Sequence, residues 1–238
     1  MLPLPRPAHK VRLGLWLWCF LWPLHGLHGQ EPRTGVERAD VLWAAGAATV
    51  YVVPHLLGIN DHPPGCAPCN RQDVPWFDRW AIREPQEALS GASTGLVFAL
   101  AALETADLAT SPGPRYAGVA YLAESAGWAV GAGELLKVVT ARKRPVLYTP
   151  QAPRAASDME AQRSWPSGHT AVAFALAAGY FLVPRPQPVP AWRRWAVAAA
   201  AASVGVLRVA AGYHFPSDVA AGAALGVASA AALRVVRF

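Results

Sequence analysis

Charged residues are scarce in this chain of 238 residues, at 15% of the total, whereas 53% of the residues are hydrophobic. An average soluble protein is about one quarter charged, so this composition favours a protein embedded in a membrane. An Ala-rich soluble helical protein is the alternative, because alanine raises the hydrophobic fraction without creating a membrane span. Lys and Arg exceed Asp and Glu by enough to give a net charge of +6. No long basic run is present and several basic residues flank apolar segments, so nucleic acid is not expected as a partner.

Cysteine is also rare, with three residues in the whole chain. Cys66 and Cys69 form a lone C-x2-C, while Cys19 lies in the N-terminal segment. The pair is compatible with a redox motif, half of a zinc site or a local disulfide. No second cysteine pair is available to complete a zinc site, and we favour a disulfide that ties the loop at residues 60–90 on the outer face.

Regular alternation of apolar and polar residues is absent, which argues against a mainly β fold. Six apolar segments instead follow one another, separated by Pro-rich connectors that end helices. They lie at residues 41–59, 91–109, 116–139, 169–184, 192–211 and 217–236. Each is long enough, or nearly so, to cross a hydrocarbon core of about 30 Å. The sequence therefore predicts an all-α bundle of about six membrane-spanning helices.

The first 29 residues have the features of a targeting segment. Basic residues precede an apolar run at residues 13–24, and small residues follow it. This pattern is typical of a signal peptide, and an uncleaved N-terminal anchor is the alternative. We expect residues 30–238 to form one domain.

Basic residues in the short connectors and the C-terminal tail predict which side of the membrane each loop occupies. Arg115, Arg185 and Arg193 are expected on the cytoplasmic side. Alternation along the chain then places the loop at residues 140–168 and the turn at residues 212–217 together on the outer face. This arrangement requires that either the N-terminal targeting segment or residues 41–59 do not span the membrane as a simple helix, and residues 41–59 could lie at the interface.

Three polar clusters in the second half of the chain carry the candidate chemistry. Together they supply three cations, two imidazoles and one carboxylate, which suits a phosphate group attacked by histidine. The first is Lys137 with Arg144-Pro145, the second is Pro166-Ser167-Gly168-His169, and the third is Arg208 with His214 and Asp218.

The spacing within each cluster is consistent with one shared site. Lys137 and Arg144 are two helical turns apart and can face one way. Ser167 is expected to cap a helix whose N-terminus can bind an anion. Asp218 can reach one nitrogen of His214 and leave the other free to attack. Arg142 and Lys143 are expected to form a solvated or headgroup-facing pair.

The three clusters resemble the type 2 phosphatidic acid phosphatase (PAP2) superfamily, including its bacterial membrane lipid phosphatases. Its pattern reads K-x6-R-P, P-S-G-H and S-R-x5-H-x3-D, and the chain departs from it only at Leu207, where the family usually has serine. The resemblance covers residues 137–218 and implies the helical core shared with chloroperoxidases. The missing hydroxyl at residue 207 is expected to reduce stability or rate without abolishing the chemistry.

The resemblance also implies roles for the residues. His214 would be the nucleophile that forms a phosphohistidine, and His169 would protonate the leaving oxygen and then activate water. Asp218 would orient His214. The phosphoryl oxygens would be bound by Lys137, Arg144, Ser167, Gly168 and Arg208.

The function implied is hydrolysis of a phosphate ester on a lipid, by a phosphoric ester hydrolase of the inner membrane whose site faces the periplasm or exterior. Phosphatidate, phosphatidylglycerol phosphate and polyprenyl diphosphates are the implied substrates, and no cofactor or metal is expected. Two histidines and a carboxylate are a known metal-ligand set, but three nearby cations would repel a divalent ion. The alternatives are a soluble exported acid phosphatase, a vanadate-dependent haloperoxidase, and a transporter or scaffold with a vestigial site. The sequence leaves the oligomeric state open.

Overall fold

The computed structural model describes residues 37–112 and 115–237, and within them all regular secondary structure is helical. The predicted all-α fold is confirmed. The targeting segment predicted at residues 1–29 lies outside the described residues. The helices are α1 (Arg38–Leu56), α2 (Glu87–Thr110), α3 (Arg115–Thr140), the one-turn α4 (Ala152–Ala155), α5 (Gly168–Leu182), α6 (Ala191–Ala210) and α7 (Pro216–Arg237). Four short 3-10 turns lie in the connectors, at Arg71–Asp73, Arg79–Ala81, Pro145–Tyr148 and Met159–Gln162.

The six long helices coincide with the six apolar segments of the sequence. Helices α1, α2 and α7 are long and apolar enough to cross a membrane, and α5 is apolar but has only 15 residues. The protein is therefore of the membrane class, while a total of six spans stays a prediction. Residues 41–59, whose topology the sequence leaves open between a span and an interfacial position, form most of α1, one of the three candidate spans.

Helices α5 and α7 form the closest pair in the bundle, and small residues let their backbones approach. Gly222 and Gly226 of α7 face α5. A Cβ at Gly222 would lie 2.5 Å from the Ser167 carbonyl oxygen, and one at Gly226 would lie 2.2 Å from that of Ala171. Glycines four residues apart are a common way for helices to pack closely in membranes. This contact fixes the N-terminal turn of α5 against that of α7.

Gly226→Ala is expected to destabilise the protein by about 1–3 kcal/mol, because the added methyl forces two backbones apart. Thermal unfolding of the detergent-solubilised protein measures the effect. Gly95→Ala is the matched control, since nothing lies within 4 Å of a Cβ there. Alanine at that position should leave stability unchanged or raise it, because it only improves helix propensity. Equal melting temperatures for the two variants would contradict the close packing of α5 on α7.

A buried ion cluster joins α7 to α1 and α3 at the end of the bundle remote from the polar clusters. Arg237 near the C-terminus of α7 pairs with Asp40 of α1, and its Nη2 lies 3.4 Å from Glu124 Oε1 of α3. These carboxylates compensate a cation that would be costly to bury alone. The contact explains why an acidic residue occurs in the middle of the apolar α3.

The opposite end of the bundle gathers the polar residues. The C-termini of α1, α3 and α6 and the N-termini of α2, α5 and α7 meet there, beside the connectors at residues 57–86 and 141–167. Arg208 of α6 bonds Ser90 of α2, and Arg163 of the second connector lies 3.1 Å from His55 of α1. All three polar clusters of the sequence lie at this end.

Candidate active site

His214 occupies the short turn between α6 and α7. Gly212 makes this turn possible, since its φ of +74° lies in the left-handed region that favours glycine. The His214 side chain is 2% exposed, and its Nδ1 lies 2.7 Å from the Ser164 carbonyl oxygen. A carbonyl only accepts hydrogen bonds, so Nδ1 carries the proton and Nε2 of the neutral ring keeps its lone pair.

Burial and charge keep that ring neutral. Burial lowers the pKa of His214 well below its ordinary value, and the positive charges of Arg144, Arg208 and Lys137 lower it further. The hydrogen bond that His214 Nδ1 donates to the Ser164 carbonyl oxygen opposes this lowering of the pKa. A neutral imidazole with one nitrogen held and the other free is the form that acts as a nucleophile.

Asp218 lies close to this ring without bonding it directly. Its Oδ2 is 3.7 Å from His214 Nδ1, whereas the same oxygen accepts bonds from Ser164 Oγ at 2.6 Å and from the Phe215 amide at 2.8 Å. The expected contact between carboxylate and imidazole is therefore replaced by an indirect link through Ser164. The Ser164 hydroxyl donates to Asp218, and the Ser164 carbonyl oxygen accepts from His214 Nδ1. Nothing in the sequence pointed to Ser164, which precedes the P-S-G-H cluster by two residues and lies 50 residues from His214.

The second imidazole, His169, lies in the first turn of α5. Its Nε2 is 3.0 Å from Thr94 Oγ1 of α2. The cations Arg208, Lys137 and Arg144 act electrostatically on this ring as they do on His214. The two histidines, 45 residues apart in the chain, thus share one positively charged environment.

Each of the three predicted phosphate-binding cations has a different partner. Lys137 Nζ lies 3.1 Å from Glu134 Oε2, and Arg144 Nη2 donates to Glu160 Oε2 at 2.7 Å. Arg208 is 4% exposed and donates to Ser90 Oγ at 2.8 Å.

Arg208 therefore bonds neutral hydroxyl groups, whereas Lys137 and Arg144 each pair with a carboxylate.

Ser167 and Gly168 begin α5 as the sequence predicted, although the capping bond is absent. Ser167 is the N-cap residue, but its hydroxyl accepts from Thr170 Oγ1 at 3.0 Å and does not bond a backbone amide. The Ser167 amide donates to the Asp218 carbonyl oxygen at 2.9 Å. A Cβ at Gly168 would lie 3.4 Å from Lys137 Nζ, so the glycine allows the ammonium group close to the helix N-terminus.

Arg142 differs from its expected position. The sequence predicts a solvated or headgroup-facing side chain, yet Arg142 Nη1 bonds Asp218 Oδ1 and lies 2.7 Å from Ser217 Oγ. Its Nη2 donates to Asp78 Oδ2 at 2.8 Å, and its guanidinium lies 4.7 Å from the centre of the Phe215 ring. Arg142 therefore belongs to the hydrogen-bonded structure behind His214, and Asp78 is a further residue that no sequence motif indicates.

Cys66 and Cys69 are joined by a disulfide, with an S–S distance of 2.02 Å. The Cys69 amide donates to the Leu147 carbonyl oxygen at 2.8 Å, which attaches the connector at residues 57–86 to the one at residues 141–167. Within residues 37–112 and 115–237, no group of three or more His, Cys, Asp or Glu side chains could hold a metal ion.

An open groove leads from the site between α2, α3 and α5. It has a volume of about 310 Å³ and is mostly apolar along its walls. Its polar end is formed by Thr94, Glu134, Lys137, Gly168 and His169, and its apolar side by Val97, Phe98, Val130 and Val172. The groove thus connects a polar end, which contains Lys137 and His169, to an apolar surface.

The fold and the site together define a helical protein of the membrane class with two imidazoles in a cationic environment. The family model described as the PAP2 superfamily matches residues 118–238, half of the chain, and the chain belongs to this superfamily. The resemblance seen in the three clusters is thereby confirmed, and membership supports a phosphatase-type function. A comparison with curated proteins gives no match.

Proposed function

We propose that this protein hydrolyses a phosphomonoester or diphosphate carried by a membrane lipid, through a phosphohistidine and without a metal ion. The observation that carries the proposal is the state of His214. Its Nδ1 is engaged by the Ser164 carbonyl oxygen and its Nε2 is left for attack, while Lys137, Arg144 and Arg208 act on the same ring. These cations would stabilise the charge on the phosphoryl oxygens in the transition state.

The reaction has two steps. In the first, His214 Nε2 forms a bond to phosphorus as the bond from phosphorus to the leaving oxygen breaks, and His169 donates its proton to that oxygen. In the second, water attacks phosphorus and His169 takes a proton from it. The bond between nitrogen and phosphorus then breaks, which releases inorganic phosphate and restores both histidines.

Two features favour a lipid substrate over a soluble one. Three helices are long and apolar enough to cross a membrane, and the groove beside His169 has an apolar wall. A hydrocarbon chain along Val97, Phe98 and Val172 would leave the phosphate at Lys137. The chemistry fits phosphatidate, phosphatidylglycerol phosphate and polyprenyl diphosphates alike. We further propose that the protein resides in the inner membrane with this site on the outer face.

The test is phosphate release from a panel of lipid phosphates by the purified protein in EDTA. We expect release from at least one lipid, with orthovanadate as an inhibitor. Loss of all activity in EDTA with recovery on adding a divalent ion would contradict the metal-free mechanism, and halide oxidation supported by vanadate would indicate a haloperoxidase.

The orientation is tested separately on intact cells supplied with a short-chain lipid phosphate. They should release phosphate outside, and release only after lysis would reverse the proposed orientation.

A further inference from the structure

Asp78 lies in the connector between α1 and α2, outside the residues that match the family model. Its side chain is nevertheless fully buried at the catalytic end of the bundle. A buried carboxylate needs hydrogen bonds or a cation to offset the loss of water. Its contacts therefore show what this connector does at the site.

The contacts of Asp78 lead directly to the catalytic carboxylate. Asp78 Oδ2 accepts from Arg142 Nη2 at 2.8 Å, and Asp78 Oδ1 accepts from the Ser217 amide at 3.1 Å. Arg142 Nη1 bonds Asp218 on its other side. Asp218 in turn accepts from Ser164 Oγ at 2.6 Å, and the Ser164 carbonyl oxygen holds His214. Negative, positive and negative charges thus alternate behind the imidazole.

This order of charges has a consequence for the proposed reaction. When His214 becomes phosphorylated its ring gains positive charge, and the carboxylate of Asp218, 3.7 Å from Nδ1, is the nearest counter-charge. Arg142 alone would cancel much of that carboxylate's field. Because Asp78 also pairs with Arg142, part of the negative field of Asp218 is preserved at His214. Asp78 also fixes the position of Arg142.

We propose that Asp78 and Arg142 are positioning residues that set the orientation and effective charge of Asp218, and through it the reactivity of His214. The proposal rests on the function proposed above. The alternative is that the pair only attaches the connector at residues 57–86 to the bundle. The Cys69 amide bond to the Leu147 carbonyl oxygen and the Asn60 Nδ2 bond to the Val138 carbonyl oxygen already attach that connector, so removing one charge should leave the attachment largely in place.

The two halves of the pair predict opposite effects on proton binding at His214. The groups that act on His214 are Arg144, Arg208 and Lys137, Asp218 at 3.7 Å, and the Ser164 carbonyl. The acid limb of the pH profile of kcat/KM is the low-pH side, where activity falls as His214 becomes protonated. Asp78→Asn removes a negative charge, so this limb should move to lower pH. Arg142→Gln removes a positive charge, so the limb should move to higher pH. Each shift is expected to be about half a pH unit or more.

The experiment compares wild type, Asp78→Asn, Arg142→Gln and the charge-neutral double variant on one lipid phosphate. The ionisation of the substrate then cancels from the comparison. Each single variant should lower kcat about tenfold, equivalent to about 1.4 kcal/mol, with a much smaller change in KM. The double variant should return the limb close to its wild-type position, since both charges are gone. NMR titration of the His214 ring, assigned with His214→Ala, should show the same trend without any turnover. The His214 pKa should be lowest in Asp78→Asn, intermediate in wild type and highest in Arg142→Gln.

Asp107→Asn is the matched control. Asp107 is also an arginine-paired carboxylate, with Arg185 at 2.8 Å, and lies 13 residues along α2 from Thr94, which is about 20 Å away. It should lower the melting temperature without moving the acid limb. If Asp78→Asn behaves like this control, or if both single variants move the limb the same way, the proposal is wrong. A wild type that releases no phosphate would overturn the proposed function instead, and the NMR order would still test the effect of the pair on His214.

Discussion

Replacing His214 by alanine is expected to eliminate the phosphoenzyme and to reduce phosphate release by about 10⁴-fold or more, the scale seen when a nucleophile is removed. The reason is geometric. His214 Nδ1 is bonded to the Ser164 carbonyl oxygen, which fixes the tautomer and leaves Nε2 as the attacking atom. Rapid quenching with a ³²P-labelled substrate, followed by acid and alkali treatment, measures the acid-labile and alkali-stable adduct typical of phosphohistidine.

His62→Ala is the control for this experiment. His62 is an exposed histidine in the connector at residues 57–86 and has no place in the proposed chemistry. It should form the adduct at the wild-type level. An acid-labile adduct that persists in His214→Ala would transfer the nucleophilic role to another residue, with His169 as the first to test. An alanine at the buried His214 leaves a cavity, which lowers stability. Thermal unfolding is therefore measured for both variants, and we expect both to be folded.

The helices were predictable because their signal is local. Each apolar segment is bounded by proline or polar residues, and the observed α2 at Glu87–Thr110 and α7 at Pro216–Arg237 differ from the predicted segments by only a few residues. Hydrophobic length is a property of consecutive residues. The connectors were less predictable, because their short 3-10 turns depend on contacts with distant parts of the chain.

The motif residues were predictable for a different reason. Lys137, Arg144, Arg208 and both histidines carry chemistry that few other roles require at that spacing. What the sequence left out is the set of neutral or oppositely charged partners that hold them. Ser90 lies 118 residues from Arg208, and Thr94 lies 75 residues from His169. Serine and threonine are common in any helix, so only the packing of α2 against α5 and α6 selects these particular ones.

Arg142 shows how a local interpretation can fail. It is adjacent to Lys143 and two residues before Arg144, which reads as a basic surface run. Its partly buried position depends on two carboxylates, Asp78 from 64 residues upstream and Asp218 from 76 residues downstream. A cation becomes favourable in the interior only when such partners surround it. The N-terminal half of the chain therefore completes a site whose recognisable residues all lie in the C-terminal half.

His169→Ala should give the second large effect, and its form distinguishes a general acid from a merely structural residue. His169 is proposed to protonate the leaving oxygen, a contribution of about 10²- to 10⁴-fold. The position of its Nε2, 3.0 Å from the Thr94 hydroxyl in the groove, shows that this nitrogen can bond an oxygen there. Hydrolysis of a lipid phosphate, whose alkoxide is a poor leaving group, should lose most of its rate. Transfer of the phosphoryl group from 4-nitrophenyl phosphate to His214, with release of nitrophenolate, should slow much less.

The second step provides the matching test, since the same residue is proposed to activate water. With 4-nitrophenyl phosphate, His169→Ala should release nitrophenol in a burst and then turn over slowly, because the phosphohistidine on His214 accumulates. Wild type should show no such accumulation, and the double variant His169→Ala, His214→Ala should show no burst. Equal losses on the two substrates would contradict general acid catalysis by His169. An absent adduct in the single variant would place its role in substrate binding, alongside Lys137 and Arg208, whose charges act on the same ring.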